Sequence, residues 1–111
     1  MDTIDPMGNV GPLSPKERKE FEEEYRHGTD LFKRALNEYS ESTNMFQKEE
    51  FKEVMEKAMQ VLNETARELK NKELLNKNRQ IEKDFSDYQQ HQSLEHKNKL
   101  VTDLDSAQKS V

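Results

Sequence analysis

Phe46–Leu69, FQKEEFKEVMEKAMQVLNETAREL, is the stretch on which the fold turns. Phe51, Met55, Ala58, Leu62, Thr65 and Leu69 recur at steps of three and four, which places them on one side of a helix. Val54, Met59, Val61 and Ala66 widen that stripe beyond a coiled-coil seam. A face of this width has to be covered. The remaining sequence is read for what covers it.

Upstream, Ser14-Pro15-Lys16-Glu17 places Ser at the N-cap, Pro in the first helical position and Glu at the third, a capping box. Phe21, Tyr25, Gly28, Phe32, Ala35 and Tyr39 then repeat the three-and-four spacing. Gly28 lies on the apolar stripe. Either two helices cross closely there, or the helix breaks and Thr29 or Asp30 caps a second piece; one helix with a weak point is the favoured reading. Ser40–Asn44 gathers residues that bond their own backbone. Asn44 can cap the next helix, so the two stripes face each other across a turn.

Downstream, the step from Leu69 to Leu74 breaks the phase. A third run carries Leu74, Ile81, Phe85 and Tyr88, with Asn78 interrupting it. Beyond Tyr88 the apolar residues thin out, and 89–111 reads as a polar tail, helical or frayed. Residues 1–14 hold two prolines and two glycines and read as a disordered arm; a docking peptide or export signal is the sharper alternative. The expected fold is all-α: a helical hairpin over roughly 15–41 and 45–70 plus a third helix from about 73, a small antiparallel bundle of about three helices within 15–88.

Composition narrows the function. Of 111 residues, 31 % are hydrophobic and 37 % charged, with five Phe, three Tyr and no Trp. So thin a core leans on a partner or on a second copy. The net charge of −5 is spread so that no segment is basic, which argues against nucleic acid and anionic membranes. No cysteine is present, and no apolar run reaches the length of a membrane span, so a cytoplasmic, soluble chain is expected.

Chemistry has little to stand on. His91 and His96 sit five apart, which on one continuous helix points them about 140° away from each other. Acidic residues pair with basic ones at helical spacing, as in Glu53–Lys57 and Glu73–Lys77, the pattern of a solvated surface. Phosphate loops and nucleophile elbows are absent. Phe46, Phe51 and Ala58 faintly resemble half a tetratricopeptide repeat, but the glycine is missing and no second copy follows. No enzyme, cofactor, metal or small-molecule substrate is therefore expected.

The expected role is a non-enzymatic protein–protein interaction module: a small adaptor, co-chaperone or assembly factor offering an amphipathic helical face. The alternative is a structural subunit that self-associates into a bundle or filament. Met45, Phe46, Phe51, Met55, Met59 and Leu62 are the candidate partner-binding residues, since flexible thioethers beside aromatics suit a groove that accepts side chains. A plain hairpin core explains the same residues. Exposure in the isolated chain separates the two.

Overall fold

A computed structural model describes residues 13–111. The described chain is entirely helical: α1 (Pro15–Glu41), α2 (Met45–Glu68), α3 (Lys72–Gln90) and α4 (Leu94–Lys109). Among the described residues four helices stand where about three were expected. The expected disordered arm, apart from Leu13 and Ser14, lies outside the described residues.

Each helix begins on a side-chain cap. Ser14 and Glu17 form the reciprocal capping box of α1, and the backbone bond to Ser14 holds the Glu17 carboxyl below its usual pKa. Asn44 accepts from the N–H groups of Phe46 and Gln47, Asn71 from Leu74, and Ser93 from His96. Three residues therefore suffice for each connection, and short connections force antiparallel neighbours. The turn after α2 is a Schellman motif: Lys70 N–H donates to Arg67 O and Asn71 N–H to Ala66 O, with Lys70 left-handed at φ 53°.

The helices pack in a ring, α1 on α2, α2 on α3, α3 on α4 and α4 back on α1. Aromatic rings fill the α1–α3 diagonal. Phe32 meets Phe85 edge-on at 5.1 Å between centroids, and Tyr39 meets Tyr88 at 5.9 Å. The α2 stripe faces inward, with Met55, Ala58, Leu62 and Ala66 fully buried. Its cover comes from this same chain.

Gly28 lies within α1, so the helix continues through it. A Cβ there would stand 2.9 Å from Leu62 Cδ2 and 3.4 Å from Val61 Cγ1. The missing side chain is what lets α1 and α2 approach. Asn78, an interruption when read along the sequence, is buried at the centre of the bundle. It accepts from Tyr25 Oη at 2.5 Å and donates to Leu62 O at 2.9 Å, tying three helices together.

The tail, expected to be helical or frayed, is a helix, and it belongs to the core. Leu100, Leu104 and Ala107 are fully buried, and α4 closes the bundle. Polar bonds hold its outer side: Lys33 Nζ lies 2.6 Å from Asp105, Lys77 donates to Ser106, and Arg26 donates to the carbonyl of Val111. The positions of α4 that face the core start at Leu100, while Leu94 in its first turn faces solvent.

Candidate interaction surface

Tyr39 is the bolt of one end of the bundle. Its ring packs on Tyr88 and lies 4.3 Å beneath the Lys48 ammonium. Its carbonyl accepts from Lys48 Nζ at 2.8 Å, and its hydroxyl accepts from Gln92 Nε2 at 3.0 Å. Lys48 belongs to the first turns of α2 and Gln92 to the α3–α4 connection. The start of α2 and the α3–α4 connection are thus both fixed to Tyr39. Ser42 adds a bond to Gln47 Oε1 across the first connection.

On this braced end three large apolar side chains face solvent. Phe46 is 83 % exposed, Met45 82 % and Leu94 69 %. Met45 and Phe46 occupy the first two positions of α2, Leu94 the first of α4. Helix starts project side chains without a partner in the preceding turn. A shallow groove lined by Ser40, Tyr88, Gln92, Ser93, Leu94 and Lys97 runs beside Leu94. Exposed apolar groups carried on a well-braced frame have the makings of a contact surface.

The six candidate residues divide accordingly. Met45 and Phe46 are exposed, Phe51 is half-buried, and Met55, Met59 and Leu62 lie in the core. The deeper three pack against this chain's own helices, as the hairpin-core reading describes. Leu94 was not among the candidates. Its signal was weak: an apolar residue one place after Ser93, out of phase with the α4 stripe.

The histidines also sit differently from the single-helix picture. The chain breaks at His91–Ser93, which brings the two rings to 5.6 Å, with Ser93 Oγ 2.6 Å from His96 Nδ1. Two imidazoles supply half of a tetrahedral set. Among the described residues no group of three or more His, Asp or Glu is placed to hold a metal ion. Asp84, buried on α3, accepts from Gln80 and pairs with Lys99 at 3.6 Å. Burial raises the phenol pKa of Tyr25 well above its ordinary value, and that of Tyr88 too, where Tyr39 adds a smaller push. These phenols stay protonated and serve packing.

None of the described helices is long and apolar enough to cross a membrane. Compared with known proteins, the chain matches no family model, no curated protein and no solved structure.

Proposed function

We propose that this chain is a non-enzymatic protein-interaction module, of the adaptor, co-chaperone or assembly-factor kind, that docks a protein partner on the end of the bundle carrying Met45, Phe46 and Leu94. One observation carries the reading: three large apolar side chains are held in water on the part of the fold that Tyr39 braces most. An unpartnered aromatic on a fixed frame contributes binding energy with little ordering cost on its own side. The working place is the reducing cytoplasm, consistent with a chain free of cysteine.

Photo-crosslinking tests this directly. A crosslinking residue at position 46 is compared with one at position 31, where Leu31 is exposed on the outer face of α1. In an extract of the source cells, position 46 is expected to give a discrete adduct with a second protein that position 31 does not give. Equal labelling from both positions would sink the reading. An adduct of the chain with itself, together with a mass that grows with concentration, would make it a self-associating structural subunit instead.

A further inference from the structure

We infer that the apolar end of the bundle receives a basic amphipathic segment of a protein partner, whose large apolar side chains seat on Met45 and Phe46 while its Lys or Arg side chains face Glu49 and Glu50. This rests on the docking reading above and adds the chemistry of what docks. Glu49 stands four residues after Met45, and Glu50 four after Phe46, so each carboxylate lies one turn along from an apolar neighbour on the same face. Both carboxylates are exposed. Lys48 is turned back onto the Tyr39 ring and carbonyl, and Lys52, one turn on, is half-buried. Glu41 and Glu95, beside the two connections, are exposed and carry the same sign; the opposing charge, Lys97, lies beside Leu94 on α4 and not beside Met45 and Phe46 on α2. An apolar centre with an acidic rim favours a cationic partner and discriminates against an acidic one.

Two other occupants fit worse. A second copy in two-fold contact brings this patch, with its Glu49 and Glu50, against the same acidic patch. The chain's own first twelve residues carry Asp2 and Asp5 and no Lys or Arg. Those carboxylates carry the same sign as Glu49 and Glu50.

The test uses three synthetic peptides with one leucine face in common and Lys, Gln or Glu at every other position. Binding to the full chain is read by fluorescence anisotropy at low and high salt. The Lys peptide is expected to bind at least tenfold tighter than the Gln peptide, with the Glu peptide weaker still. Phe46→Ser should weaken the Lys peptide at least tenfold. The pair Glu49→Gln and Glu50→Gln should bring it to the level of the Gln peptide and flatten its salt dependence. The same charge change at the other end of α1, Glu23→Gln with Glu24→Gln, should leave it unchanged. All these side chains are exposed, so helical melting curves serve as the folding control.

Equal binding of all three peptides, lost on Phe46→Ser, overturns the basic segment and leaves the docking end standing. Charge-dependent binding that ignores Phe46→Ser overturns both. A Lys peptide that does not bind, or a dimer of the chain abolished by Phe46→Ser, also overturns the inference.

Discussion

Asn78 shows what one residue decides in this fold. Its amide accepts from Tyr25 on α1 and donates to Leu62 O on α2, all from within α3. A buried polar pair fixes register, because any slip leaves both groups unpaired in an apolar interior. Tyr25→Phe and Asn78→Ala should each destabilise by at least about 1 kcal/mol, and the double variant should cost about 1 kcal/mol less than their sum. Urea unfolding of the four proteins in the cycle measures this, and additivity would mean that the bond contributes nothing. Ionisation of the same phenol is the second prediction. The fold raises the pKa of Tyr25, so above the unfolded value near 10 the unfolded chain sheds a proton that the folded chain keeps. Stability is then whole below about pH 10 and falls as pH rises past it. Urea midpoints at pH 9, 10 and 11 should decline, and Tyr25→Phe should make the decline shallower. An unchanged slope in that variant would exclude Tyr25 as the source.

At the level of elements, the connections are set by local chemistry. Lys70 holds a left-handed φ of 53° to close the Schellman turn, a conformation that costs a side-chain-bearing residue about 1 kcal/mol. Lys70→Gly and Lys70→Ala give up the same lysine contacts, but only alanine keeps the left-handed strain, while glycine gives the unfolded chain more freedom. The glycine variant is expected to be the more stable of the two by roughly 0.5 kcal/mol, read as a higher melting temperature; the reverse order would show that the turn is not strained at Lys70. Much of this level was legible in the sequence. The box at Ser14–Glu17 and the cap at Asn44 are side-chain signals that act within three residues, and the structure uses both. Asn71 and Ser93 carry the same chemistry, yet they sit in polar surroundings where a cap and a bland surface residue look alike. The split of the candidate site was legible in part. Met55 and Leu62 lie on the stripe that needs cover and Met45 and Phe46 precede it, but only the packed bundle determines that the first pair faces the core and the second pair water.

For the molecule as a whole, the decisive element is the one that looked least like structure. A tail of polar residues contributes little when frayed, and substitutions in it stay within about ±0.5 kcal/mol. The fold instead buries Leu100, Leu104 and Ala107 completely, against a core that includes Phe32 and Phe85. Without α4, one wall of the ring would be open, since α1 and α3 each lean on it. Leu104→Ala should therefore destabilise the whole protein by about 2–5 kcal/mol, the range for truncating a buried leucine. The loss should be shared: a single unfolding transition moves to lower temperature, and helicity at the start of the melt is unchanged. Local fraying of the sixteen residues of α4 would give the opposite record, an early loss of part of the helical signal followed by a main transition at the original temperature. Amide exchange distinguishes the two at the same site. Protection of Leu100–Ala107 should equal that of Met55–Leu62 in the native chain and fall with it in Leu104→Ala, because helices that complete one core open together.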